Sequence, residues 1–410
     1  MARIREFKAT RPAPDCASRV AALPYDVMDE KEARAMAQAE PLSFITVDRA
    51  ETAFPPGSVS FNDPAVYEKA AEILNGMKDK GVLIRDEEAC FYIYREDDGD
   101  HVQNGVVATL SIDDYIGGRI KKHELTRPDK EDDRVRHIEA CRAHTGPIFV
   151  VYRRDGSVRE IISRITSGES LYDFTDSRGV KNTVWKAGKE ESAALGKAFA
   201  GVESLYIADG HHRNAAAVRV GLERRSAGED PSAESSWYLA VLVPDDEVRI
   251  LDYNRVVSTL NSRSPGEILS LLGKDFEVKR VSASDEARPK EKHSFAMYLD
   301  GRWYSLRYTG EERPDPIADL DVSILEEKIL SPVLGISDER SDPAIDFVGG
   351  ARGYAELERR VDDGRAKAAF GLYPTSISDI MDVADGGGIM PPKSTWFEPK
   401  LLSGLFIHEF

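Results

Sequence analysis

A short apolar strand, Ser204–Ala208, ends in Asp209-Gly210 and gives way within a few residues to a helix read over Asn214–Gly221, with alanines at 215–217. So abrupt a passage from strand to helix requires a residue free to turn tightly, which is Gly210. It also leaves the first helical N–H groups without internal partners, at the positive end of the helix dipole. Such an end attracts anions. Here it carries His211, His212 and Arg213, and an arginine can grip two oxygens of a phosphate at once. Asp209 has three readings: a cap, a partner for a histidine, or a metal ligand. An ordinary Asp-Gly turn with solvated basic residues is the plainer alternative.

Apolar runs before and after this unit extend the α/β pattern. Cys90–Arg95 and Val102–Ser111 are expected to pair around the polar turn DDGD, and Ile148–Tyr152 and Trp237–Pro244 read as buried strands. Helices are expected over Asp29–Ala39 with Asp29 as N-cap, over Pro64–Lys80, over about Pro128–His144, over Glu190–Phe199 and over Leu320–Leu330. Val20–Val27 reads as a short strand broken by Pro24. The expected fold is α/β with a mixed sheet. With 410 residues, several domains are expected: 1–188, 189–260 around the phosphate turn, 261–315, and 316–410 closing the site.

Three other segments carry candidate chemistry. Lys122–Arg136 lacks the second histidine of a zincin motif, and most of its acids suit the first turn of a helix that Pro128 opens. Glu124 precedes that helix beside His123 and Arg127, where it is a candidate general base or magnesium ligand. His137, Cys141 and His144 share a helical face, which core packing explains better than metal. Lys393, Ser394 and Thr395 follow a glycine run and are candidate phosphate ligands, although no Walker A spacing is present. Arg11, Tyr25 and Asp26 lie in proline-flanked extended chain and are candidates for lining a substrate pocket.

A net charge of −17 argues against extended nucleic-acid contact. No apolar run approaches the roughly 20 residues that span a bilayer, and the N-terminus has no signal core, so a cytoplasmic location is expected. Cys16, Cys90 and Cys141 do not form a disulfide or zinc framework.

The segments FKATRP, LPYDV, KKHELTRPDKEDDR, TGPIFVVY, ADGHHR and MPPKSTWFEPKL run in order from Phe7 to Leu401. Together they resemble domain-of-unknown-function family 1015. The ADGHHR turn itself resembles that of the ParB/sulfiredoxin-like superfamily, which includes partitioning proteins, sulfiredoxins and free-serine kinases. The resemblance implies a ParB/sulfiredoxin-like core in which Asp209, Gly210, His212 and Arg213 match the phosphate-holding turn. It also implies a nucleotide-dependent phosphotransferase acting on the hydroxyl of a small metabolite, serine kinase-like, with ATP or ADP as donor and Mg²⁺ as cofactor. On that reading Glu124, Asp209 and His212 are catalytic, and Gly210, His211, Arg213 and Lys393–Thr395 bind phosphate. Arg11, Tyr25, Asp26, His123 and Arg127 bind substrate, and Asp209 and Glu124 hold Mg²⁺. Partners are then a small-molecule substrate and a nucleotide, with no nucleic acid and no membrane. A non-catalytic nucleotide switch and a phosphoester hydrolase are the alternatives. A sulfiredoxin role is disfavoured because no cysteine adjoins the turn.

Overall fold

The computed structural model describes residues 2–311 and 313–410. Two compact units emerge: Met1–Val248 with Pro399–Phe410, and Arg249–Glu398 between them. The divisions expected near residues 188, 260 and 315 fall inside these units. The first unit is undivided around residue 188 because strands on both sides of that point join one sheet.

That sheet comprises β1 (Ile4–Arg5), β2 (Tyr92–Asp97), β3 (Val102–Ser111), β4 (Ile120–Lys121), β5 (Ile148–Tyr152), β6 (Tyr172–Thr175), β7 (Lys181–Lys186), β8 (Leu205–Asp209) and β9 (Trp237–Pro244). Its spatial order is β4-β8-β5-β9-β3-β2-β7-β6, with β1 also on β3. β8 runs parallel to β4 and antiparallel to β5, and β9 runs parallel to β5, so the sheet is mixed and the fold is α/β as expected. The expected β2–β3 hairpin is present, with Tyr92 opposite Val107 and Asp97 opposite Val102.

Fully buried central strands need apolar side chains on both faces. Val150, Ile207, Ala240 and Leu242 supply one face of the core, against which Val135, Ile138, Ala216 and Val220 pack from two helices. These helices, α1 (Pro128–Cys141) and α2 (His211–Ser226), lie side by side and are tied by ion pairs Arg219–Asp132 at 2.5 Å and Arg224–Glu139 at 2.8 Å. A second apolar cluster gathers Phe44, Ile45, Val47, Leu74, Met77 and Ile407. Pro64–Asp79 and Glu30–Ala39 are helical as expected, the latter started by Asp29, whose carboxylate accepts the Glu32 N–H in a reciprocal capping box.

Several expectations change. Val20–Val27 forms no strand: Ala17–Val20 is a helical turn, and only Ala22 bridges outward, to Ser403. Helix α1 ends at Cys141, because Arg142 takes a left-handed φ of 54°, and His144 lies in a short strand beyond it. The helix after Asp209-Gly210 is longer than expected at both ends, since Gly210 alone makes the turn. The helix expected over Leu320–Leu330 is α-helical only through Leu325 and then widens into a π turn.

Residues 399–410 return to the first unit. Ile407 exchanges backbone hydrogen bonds with Thr10, Ser403 does so with Ala22, and His408 pairs with His144. The second unit has its own antiparallel sheet of Tyr253–Val257, Phe276–Val281, Ser294–Leu299, Arg302–Tyr308, Ile345–Gly349 and Ala368–Leu372, with a core including Val256, Ala296, Trp303 and Leu357. Among the described residues, no helix is long and apolar enough to cross a membrane.

Candidate functional site

The site begins where β8 stops. The pairing of β8 with β5 slips in register between Ile207 and Asp209, an irregularity of the kind that re-aims a side chain at the end of a strand. Gly210 then takes φ +92°, and helix α2 starts at His211. The Asn214 N–H donates to the Gly210 carbonyl at 2.9 Å. The backbone N–H groups of the first helical turn thus open beside the end of the strand.

Asp209 is held rather than open. One oxygen accepts the Gly210 N–H at 2.7 Å, and the other pairs with Lys400 Nζ at 2.9 Å. Burial alone would raise the Asp209 carboxyl, but Lys400 and Arg213 outweigh it and hold it well below the usual carboxylate range. Lys400 arrives on the returning C-terminal segment and gives that segment a direct part in the turn.

Arg213 Nη1 donates to the Pro147 carbonyl at 2.6 Å, while its Nε is buried with no hydrogen-bond partner. The guanidinium lies against two glycines. A Cβ on Gly210 would stand 3.2 Å from Arg213 Nε, and one on Gly146 would stand 3.2 Å from Nη1. Below it is a cleft lined by Tyr25, Arg134, Thr145, Gly146, Arg213 and Ser403. Arg134 is buried, ion-paired with Asp133 at 2.7 Å, and its guanidinium carbon sits 4.0 Å from the centre of the Tyr25 ring. Thr145 donates to Asp48 at 3.1 Å.

The two adjacent histidines part company. His212 Nε2 accepts the backbone N–H of Arg127 at 3.1 Å, which places its proton on Nδ1 and ties the HELTRP segment to the turn. His211 points inward. Its ring meets His123 edge-on at 4.6 Å, and its Nδ1 lies 4.0 Å from Glu124 Oε2. His123 and His211 are buried, whereas Glu124 is about a third exposed (36%). Burial pushes the His123 imidazole down to about 4, and burial with the neighbouring His123 lowers His211 well below its ordinary value, so both rings are neutral at pH 7.

The structure therefore brings together Asp209, Gly210, His211, His212, Arg213, His123, Glu124 and the Arg127 backbone, and sets Tyr25 on the cleft wall. The Arg127 side chain instead pairs with Asp129 in solvent, and Asp26 is exposed. Arg11 is buried, its guanidinium bound to Asp86 at 2.8 Å and to the Tyr172 hydroxyl at 3.0 Å. Lys393, Ser394 and Thr395 belong to the second unit, where the Ser394 hydroxyl is bound to the Pro391 carbonyl at 2.6 Å and Lys393 stands 5.7 Å from the Tyr253 ring centre. His137 contacts the Val47 carbonyl at 3.2 Å and Cys141 at 3.9 Å, and His144 contacts His408 at 3.3 Å; both histidines are buried and line the inner wall of the same cleft.

Lys400 and Arg134 were not among the sequence candidates. Each lies inside a quoted motif, but Arg134 reads as one charge among many at a helix start, and nothing local to Lys400 shows that the chain returns to Asp209.

Among solved structures, the chain is similar to a free serine kinase in complex with AMP, at 13% identity and TM-score 0.36, covering 72% of this chain and 86% of that one. It is similar to SbnI with a C-terminal truncation from Staphylococcus aureus, at 12% identity and TM-score 0.37, covering 71% and 82%. A conserved hypothetical protein from Pyrococcus furiosus matches at 13% identity and TM-score 0.34, covering 72% and 90%. No curated protein matches the chain. The model of a family described as protein of unknown function (DUF1015) matches residues 4–323, and with most of its length inside that match this chain belongs to the DUF1015 family.

Proposed function

We propose that the turn Asp209–Arg213 binds the phosphates of a nucleotide, and that the protein is a phosphotransferase acting on the hydroxyl of a small metabolite of the serine type. The observation that carries this reading is the glycine cradle. Gly146 and Gly210 leave room for the Arg213 guanidinium directly against the helix start, where backbone N–H groups and a side-chain cation converge. Phosphoryl transfer asks mainly for such positioning and charge neutralisation.

In this reading the backbone N–H groups that open from His211 onward and the Arg213 side chain hold the donor phosphates, Gly210 leaves them room, and ATP or ADP is the donor. Asp209 and Lys400 fix the turn, and His212 positions it through its bond with the Arg127 backbone. Glu124 is the base: its carboxylate takes the acceptor's hydroxyl proton as the oxygen bonds to the transferred phosphorus, and the donor's bridging P–O bond breaks to release the shortened nucleotide. Tyr25 borders the acceptor's space, whereas His123 is buried behind it at 1% exposure. Magnesium held between Asp209 and Glu124 fits poorly, because both Asp209 oxygens are engaged and Glu124 stands beside two imidazoles. Any Mg²⁺ is better carried by the nucleotide's own phosphates.

The test is a donor screen: protein, Mg²⁺ and each nucleotide with a pool of amino acids and small alcohols, read by mass spectrometry. A product heavier by one phosphoryl group is expected. Nucleotide bound without product points to a non-catalytic switch, and neither binding nor product overturns the phosphate turn.

A further inference from the structure

We infer that His123, Glu124 and His211 form a binding site for a first-row transition cation of the Zn²⁺ or Fe²⁺ class, distinct in chemistry from the Mg²⁺ that accompanies nucleotides. One donor atom from each of the three side chains lies within 4.8 Å of the others. Both ring nitrogens of His123, and Nε2 of His211, are buried and make no hydrogen bond of good geometry, with only the Ile207 backbone close to His123. A buried polar atom left unpaired is costly, and two edge-on imidazoles with His211 Nδ1 4.0 Å from Glu124 gain from a cation among them. The rings are 1% and 7% exposed, so water gives them little compensation.

The donor set selects the cation. Two neutral imidazoles and one carboxylate suit Zn²⁺, Fe²⁺ and their neighbours, whereas Mg²⁺ demands oxygen. A tetrahedral ion with bonds of about 2.1 Å needs ligand atoms about 3.4 Å apart, so the 4.8 Å cluster closes by small side-chain rotations. Three protein ligands leave a position open, the pattern of a reactive rather than a purely structural site. Glu124, the most exposed of the three, sets the open side. With the cation seated, Glu124 is a ligand rather than a base, so the two roles are alternative states of one carboxylate.

The local sequence hides this arrangement. His123 and Glu124 precede helix α1, while His211 opens helix α2, and the two segments meet because β4, which ends just before His123, runs parallel to β8.

Co²⁺ is the probe. Full-length protein stripped with chelator and dialysed is titrated with Co²⁺ and followed by visible d–d absorption, with Zn²⁺ and excess Mg²⁺ as competitors. The expected result is a saturable spectrum abolished by Zn²⁺ and indifferent to Mg²⁺. Glu124→Gln and His211→Asn should each weaken Co²⁺ binding by at least about tenfold, with folding checked by circular dichroism. Glu124→Gln alters a partly exposed side chain and keeps the test open if the histidine variant does not fold. No spectrum in the wild type, a spectrum unchanged in the folded variants, or displacement by Mg²⁺ overturns the inference. ADP binding is measured on the same metal-free protein. Co²⁺ bound without ADP sustains the metal site and counts only against the phosphotransferase reading.

Discussion

Gly210 meets two demands at one residue: a left-handed backbone at φ +92° and empty space where Arg213 lies. Alanine there adds roughly 1–2 kcal/mol of backbone strain and presses a methyl group against the guanidinium. Gly146→Ala carries only the second burden, since its Cβ would approach Arg213 Nη1 without a positive φ. Both variants should therefore weaken ADP binding in calorimetry, but only Gly210→Ala should also lower the denaturation midpoint through backbone strain. Arg213→Ala should cost about 1.5–3 kcal/mol of binding, the worth of a charge-assisted hydrogen bond. Binding unchanged in all three would remove Arg213 from the phosphates. The Arg11–Asp86 pair separates structural from functional charge. Both side chains are under a tenth exposed, and Asp86 also receives the Tyr92 hydroxyl and lies 3.2 Å from Lys186. Arg11→Ala should destabilise the fold by about 3–5 kcal/mol, toward the lower figure because Lys186 remains. Urea unfolding would measure this, and a loss under 1 kcal/mol would return Arg11 to the substrate-binding candidates.

Among the elements, strand β2 carries a charge where a strand core wants none. Glu96 is 1% exposed, accepts a 2.6 Å hydrogen bond from Gln103, and is pushed by burial up to about 7. The native chain thus keeps a proton that the unfolded chain releases near the ordinary glutamate value, and stability falls as pH rises between those two values. Above pH 7 the penalty is complete, and at low pH it vanishes. Glu96→Gln should accordingly be more stable than the wild type at pH 8 and gain nothing at pH 4, as read from urea midpoints at each pH. An equal gain at both would mean that packing rather than ionisation is responsible. Strands and helices of this kind were largely legible in the sequence, because their signals are local: apolar runs for β5 and β9, Asp29 with Glu32 for a capped helix, Pro128 for the start of α1. The strand-to-helix turn at Asp209-Gly210 was legible for the same reason. What escaped depends on contacts between distant segments. The approach of His123 to His211 follows from β4 joining β8, and that of Lys400 to Asp209 from the last residues returning across Thr10 and Ala22. Val20–Val27 has strand composition, but only Ala22 finds a partner backbone to bridge.

At the scale of the molecule, the second unit is an insertion. Its two ends pair with one another in a short antiparallel ladder, Arg249 opposite Glu398 and Leu251 opposite Trp396, so the chain leaves and re-enters the first unit at neighbouring points. Ends so placed are the circumstance in which a domain can be inserted or removed without breaking the host core. All of Asp209–Arg213, His123, Glu124, Arg134 and Lys400 lie in the first unit, while Lys393–Thr395 lie in the second. Replacing residues 249–398 by a short glycine-serine linker should therefore leave a folded protein with a cooperative melt and intact Co²⁺ binding. ADP binding by that shortened chain then assigns the phosphate ligands. Affinity equal to the full chain would place recognition in Gly210, His211 and Arg213 alone. A loss of tenfold or more, about 1.4 kcal/mol, with the Co²⁺ spectrum preserved, would mean that Gly210, His211 and Arg213 do not suffice to hold the nucleotide.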